Sequence, residues 1–278
     1  MWTMLGGIRR RPIAMVALVV IAIVALTPLT APLWSVDPNQ MDTIHRLLPP
    51  SAGHPFGTDN FGRDILSRVA YGARVSLIIG ALVAAIAVVL GTVSGLLTGY
   101  YRGVDSVLMR MLDGLMAFPS FLLAIALVGA LGPSVSNEII ALAIAYWPRI
   151  TRTVRASTLQ LRESQFVEAA HATGTRGLPI LFRHILPNAV SPIIIQGTFV
   201  FAEAVLLDAS LSFLGLGVAP PAPTWGNMLA DSRIYLATAP WFSLFPGLAI
   251  AVTVLALNVF GDTLRDQLDP HSVRSRGR

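Results

Sequence analysis

The chain has 278 residues, of which 54% are hydrophobic and only 13% charged, with a mean hydropathy of +0.67. A soluble domain carries roughly 25% charged residues, so this chain cannot cover its surface with charge, and lipid must cover part of it. It contains neither cysteine nor lysine, which excludes disulfides, thiolate metal sites and a lysine-bearing phosphate loop of its own.

Arg9-Arg10-Arg11 precedes an apolar run from Ile13 to Trp34, 22 residues long, against the ~20 a spanning helix needs. A cleaved signal peptide is the rival reading. Retention gives an even number of spans and is preferred. Pro28 and Pro32 are expected to bend or end its outer part. Residues 35–74 are polar and turn-rich. Within them Gly57-Thr58-Asp59-Asn60-Phe61-Gly62-Arg63-Asp64 reads as a tight, side-chain-bonded turn. Asp64 and Arg68 are spaced to pair on one helix face. This segment is either an ordered surface loop or a docking surface in which Asp59, Arg63 and Asp64 meet a partner.

Val75 to Tyr100 is the second expected span. Gly91, Gly95 and Gly99 form a small-residue stripe on it, read as a helix-packing seam rather than a cargo track. Arg102–Asp113 is a short charged connection, and Leu115–Leu131 the third span. Ile139 to about Ile150 is the fourth, a short run ending near Pro148. The fifth runs from Pro192 to Gly217 and the sixth from Pro240 to Gly261, with Trp225–Leu229 as a short interfacial helix between them. Glu203 and Asp208 lie inside the fifth span. Carboxylates at that depth must bond a neighbouring helix or line a water-filled route. Five residues turn them about 140° apart, so they do not share a face.

The longest polar interval, 148–192, separates the fourth and fifth spans. Residues 153–173 read as a helix, Gly174 supplies the left-handed position that ends it, and Pro187 is expected to stop a second helix. The arrangement is helix, glycine turn, helix, held at a membrane face. Packing within one chain and a DNA-reading helix-turn-helix are the alternatives. The flanking apolar runs and Pro179 weigh against DNA. Six spans place fifteen of the twenty arginines on the side of the termini and five on the other, which makes the first side cytoplasmic. The pI near 10.4 then follows from topology and implies no nucleic acid.

The interval carries Glu168-Ala169-Ala170, then Gly174, nine residues, and His184-Ile185-Leu186-Pro187. This resembles the EAA loop of ATP-binding-cassette importer permeases, with His184 in place of the usual Ile. The Gly57–Asp64 segment, and Ser210-Leu211-Ser212-Phe213-Leu214-Gly215-Leu216-Gly217 with the prolines that follow, resemble the second permease of the dipeptide, oligopeptide and nickel importers. Asp208 departs from the Glu of many relatives. The resemblance implies an all-α polytopic protein with six transmembrane helices and the type I importer permease fold, in the cell membrane with both termini cytoplasmic. Its parts are residues 1–74 (tail, first span and outer loop), 75–265 (permease core) and 266–278 (tail). Glu168, Ala169, Ala170, Gly174, Ile185, Leu186 and Pro187 would form the coupling loop. From their depth rather than from the resemblance, Glu203 and Asp208 either bond neighbouring helices or one or both line the path, which would favour a cationic or amine-bearing solute. The implied partners are a homologous second permease, two ATPase subunits that hold the ATP and magnesium, and an extracytoplasmic solute-binding protein. The chain itself would bind no cofactor and no metal. The implied cargo is di- or oligopeptides, with nickel or glutathione-like peptides next. A stand-alone secondary transporter driven through Glu203 or Asp208 is the rival class.

Overall fold

The computed structural model describes residues 12–268, and the Arg9–Arg11 cluster and the last ten residues fall outside them. The described chain is helical: α1 Pro12–Trp34, α2 Ile65–Tyr100, α3 Arg102–Met116, α4 Ser120–Leu131, α5 Val135–Arg162, α6 Gln165–Ala172, α7 Leu178–Phe213, α8 Trp225–Ser232 and α9 Trp241–Leu268. Among the described residues α1, α2, α7 and α9 are long and apolar enough to cross a membrane. The pair α3–α4, bent by 89°, makes a fifth candidate when counted as one.

Six separate apolar spans are therefore not what the helices show, and the differences have physical causes. The expected third span is the 12-residue α4, only ~18 Å long at 1.5 Å per residue. It meets the amphipathic α3 at Phe118-Pro119, and Pro119 caps α4, because the residue before a proline is driven out of helical geometry. The fourth span lies within α5, which continues through the buried Pro148 to Arg162. Its second half is too polar to count as an apolar crossing. The helices α1 and α7 likewise continue through Pro28, Pro32 and Pro192. The second helix starts at Ile65 rather than Val75, because Asp64 caps it by accepting from the Ser67 backbone N–H at 2.8 Å.

The main core lies where α2, α5 and α7 meet and includes Ile79, Val83, Leu142, Ile150, Val154 and Val200. α5 lies along α2 over most of its length because the glycine stripe removes the intervening side chains. A Cβ on Gly91 would strike Ile150. One on Gly95 would sit 2.6 Å from Val154 Cβ, and one on Gly99 2.5 Å from Thr158 Cβ. Each glycine thus receives one side chain from each successive turn of α5. Beside the seam, Ser94 Oγ and Thr151 Oγ1 lie 2.7 Å apart and Trp147 Nε1 donates to Ser94 Oγ at 2.9 Å.

Candidate functional site

The polar interval folds as three pieces rather than as one helix up to Thr173. The helix α5 ends at Arg162, the chain breaks at Glu163-Ser164, and α6 follows. Gly174 adopts φ +87. Its N–H bonds to the His171 carbonyl at 2.9 Å, and Thr175 N–H reaches back to the Ala170 carbonyl at 3.0 Å. This double bond pattern is a Schellman cap. A second left-handed glycine, Gly177 at φ +69, turns the chain into α7.

Pro187 does not stop a helix. The segment Leu181–Ile185 is a π turn in which Leu186 N–H bonds to the Leu181 carbonyl. That wider register lets a proline follow without leaving the helix short of a donor.

Val167, Ile180, Leu181 and Ile185 are buried in the main core and fasten the interval to the bundle. Arg162 reaches the Gly99 and Tyr100 carbonyls, both at 3.4 Å, and so covers the C-terminal end of α2. On this mount Glu168, Ala169, His171, Thr173 and Gly174 are exposed. Ala170 and Ile185 are buried, so they seat the loop and offer no surface to a guest. Leu186 is half-buried and Pro187 exposed. Phe166, Leu178 and Phe182 are 42%, 53% and 52% exposed on the same interval. These three were not singled out from the sequence, although large apolar residues inside a polar interval are the signal that could have found them.

Arg149, Arg152 and Arg155 lie on α5, not in a loop, and each meets a carboxylate from another helix. Arg149 Nη1 lies 2.6 Å from Glu203 Oε1 on α7, and Arg152 Nη2 lies 2.6 Å from Asp113 Oδ1 on α3. Arg155 makes a two-pronged contact with Asp105, its Nη2 donating to Oδ2 at 2.7 Å. Arg149 and Glu203 are 45% and 39% exposed. Charge accessible in the middle of long helices must face water or another polypeptide rather than lipid.

Asp208 does not share that surface. It is fully buried, and the groups facing it are Glu138 on α5, also fully buried, and Ser76 on α2. None of these side-chain oxygens has a hydrogen bond of ordinary geometry. The assignment of Asp208 to an open route is therefore corrected: it is an interhelical group. Its partner Glu138 escaped the sequence reading.

The reading of Gly57–Asp64 as a docking surface is also corrected. Asp59 is 0%, Arg63 4% and Asp64 7% exposed, so these side chains cannot be a docking surface. Asp59 accepts from Phe61 N–H at 2.8 Å, Arg63 N–H at 2.9 Å and Arg63 Nε at 2.5 Å, with Arg68 Nε 3.5 Å away. Asp64 is engaged by Ser67 and by His54 Nδ1 at 2.9 Å and does not pair with Arg68. Arg63 Nη2 lies 3.6 Å from Asp231 on α8. Burial pushes the Asp231 carboxyl above its usual range, with Arg63 opposing. Two buried arginines share one fully buried aspartate, and the unit fastens this loop to the N-terminal end of α2 and to α8.

Comparison with known proteins adds two family matches. Residues 87–274 match the model described as binding-protein-dependent transport system inner membrane component. Residues 3–50 match the N-terminal TM domain of oligopeptide transport permease C. A dipeptide transport system permease protein of Alkalihalophilus pseudofirmus is 47% identical over 265 residues, covering 95% of this chain and 87% of the relative. A glutathione transport system permease protein of Escherichia coli O6:K15:H31 is 47% identical over 222 residues, covering 80% and 73%.

Proposed function

The chain belongs to the family of binding-protein-dependent transport system inner membrane components, and on that premise we propose that it forms half of a membrane path for di- and oligopeptides. It is the membrane subunit of an ATP-binding-cassette importer and not the ATPase. The other half of the path is a homologous permease. Two ATPase subunits carry the ATP and magnesium on the cytoplasmic side, and a solute-binding protein delivers cargo outside.

The observation that carries this reading is the exposed surface of Phe166, Glu168, Ala169, Leu178 and Phe182, mounted between the two longest helices that leave it, α5 and α7. Apolar side chains beside a carboxylate suit a protein partner. ATPase closure moves this mount, and the helices rock so that the path faces outward, then inward. The chain crosses the membrane six times with both termini inside, α3–α4 and α5 supplying the third and fourth crossings. Fifteen arginines then fall on the inner side or on helices leading to it. The Arg149–Glu203 pair faces the path, where it can meet the charged ends of a peptide.

Uptake of a labelled dipeptide into vesicles holding the full assembly tests the reading. Uptake is expected only with ATP inside the compartment that bears the loop and with the binding protein on the other side. Uptake by this chain alone under a pH gradient would instead show a secondary transporter. A glutathione-like tripeptide is the second cargo to try, because a glutathione permease is among the relatives.

A further inference from the structure

We propose that Arg74 is the head-group anchor of a binding site for a diacyl phospholipid of net negative charge. The inference goes beyond transport of cargo and needs only that the helices lie in a membrane.

Arg74 stands where the polar outer part of α2 gives way to the apolar stretch beginning at Val75. It is exposed, and among the described residues no hydrogen bond or ion pair engages its guanidinium. Two apolar grooves meet at it. One, of about 350 Å³, runs between α1, α2 and α9 past Pro28, Val24, Leu77, Ala81 and Leu257. Its other polar side chain, Thr253, is already engaged with the Ala249 carbonyl at 2.6 Å. The second, of about 310 Å³, lies on the other side of α2 beside Tyr71, Val75, Ile79 and Val135. Arg74 and Ile78 line both.

The occupant follows from this layout. Each groove is an apolar slot at membrane depth, suited to one hydrocarbon chain, and the two diverge around Ile78 from a single cation. A ligand with two apolar tails joined at one anionic head matches that pattern. Arginine holds a phosphate diester through its planar donor fork, and its apolar stem follows the groove while the guanidinium stays at the water boundary. A partner helix filling the first groove would leave Arg74 without a counter-charge, whereas a phospholipid satisfies the cation and the grooves together.

The assembled importer is reconstituted in vesicles of equal phosphatidylglycerol and phosphatidylcholine, extracted in mild detergent, and its retained lipid identified by mass spectrometry. The wild type is expected to retain phosphatidylglycerol preferentially. Arg74→Gln should lower the phosphatidylglycerol-to-phosphatidylcholine ratio about fivefold, or ~1 kcal/mol, the worth of one cation near an anionic surface, with total lipid unchanged. Ala81→Phe, at an exposed position, should lower total retained lipid and spare the ratio of what remains. Elution profile and dipeptide uptake verify that the variants assemble. Equal head-group ratios in wild type and Arg74→Gln would overturn the proposal, as would undiminished lipid in Ala81→Phe. Either result in an importer that still takes up peptide leaves the transport reading standing.

Discussion

Asp59 lies between Arg63 and Arg68, with Asp231 the more exposed second anion beside Arg63, and Asp59, Arg63 and Arg68 are almost completely buried. Removing one partner of a buried pair leaves uncompensated charge and costs about 3–5 kcal/mol. Asp59→Ala should therefore lower the thermal midpoint of the detergent-solubilised protein far more than Asp42→Ala, whose side chain is 48% exposed. Equal shifts would contradict the buried network. Glu138 and Asp208 present the opposite case, two buried carboxyls without a cation among the groups that act on them. An amide keeps the shape and cannot ionise in a poorly solvating site. Glu138→Gln should thus leave stability within about 1 kcal/mol of wild type or raise it, measured by the same thermal midpoint. A loss as large as that of Asp59→Ala would show that an ionised Glu138 is required. Sequence pattern carried the loop residues Glu168, Ala169 and Gly174 to an exposed surface, because a glycine-ended helix in a polar interval has few other forms. It could not tell that Asp59, Arg63 and Asp64 turn inward, since residue type in a polar loop does not reveal which charges pair with one another. Asp208 could be flagged as costly, but its partner 70 residues away could not be read from local spacing.

At the scale of helices, α2 and α5 pack closely because Gly91, Gly95 and Gly99 occur once per turn. Ala is a better helix former than Gly by ~1 kcal/mol, but at position 95 its Cβ would lie 2.6 Å from Val154 Cβ and 2.8 Å from the Thr151 carbonyl oxygen. Overpacking of this kind costs about 1–3 kcal/mol, so Gly95→Ala should be destabilising overall. Gly103 in α3 has nothing within 4 Å of the same position, and Gly103→Ala should be neutral or stabilising. A thermal shift of the same sign for both would contradict the seam. The apolar cores of α1, α2, α7 and α9 were legible because a long run of Val, Ile, Leu and Ala has one low-cost solution in lipid. The third and fourth spans were not, for two reasons. Pro119 creates a sharp bend that a length count ignores, whereas Pro148 does not end a helix whose other contacts remain. The arginines of α5 also look like loop residues until Asp105, Asp113 and Glu203 are seen opposite them.

For the whole molecule, the two helices that flank the exposed loop also carry the paired groups of the interior. The helix α5 bears Glu138 near its N-terminal end, Arg149 in its middle and Arg155 nearer the loop, and α7 returns with Glu203 and Asp208. On the proposed reading, a force applied at the loop acts on the ends of both helices, which the Arg149–Glu203 pair ties together while the glycine seam ties α5 to α2. The chain is well suited to a test of this coupling because it contains no cysteine. Ala169→Cys introduces a single thiol on the exposed face of α6. In cells expressing the assembly, that thiol should be closed to a membrane-impermeant maleimide added outside. In inside-out vesicles it should cross-link through a short bifunctional reagent to an ATPase subunit, with a yield that changes when ATP is added. Labelling from outside intact cells, or no ATPase adduct in vesicles made from cells that take up dipeptide, would contradict the cytoplasmic coupling of the loop.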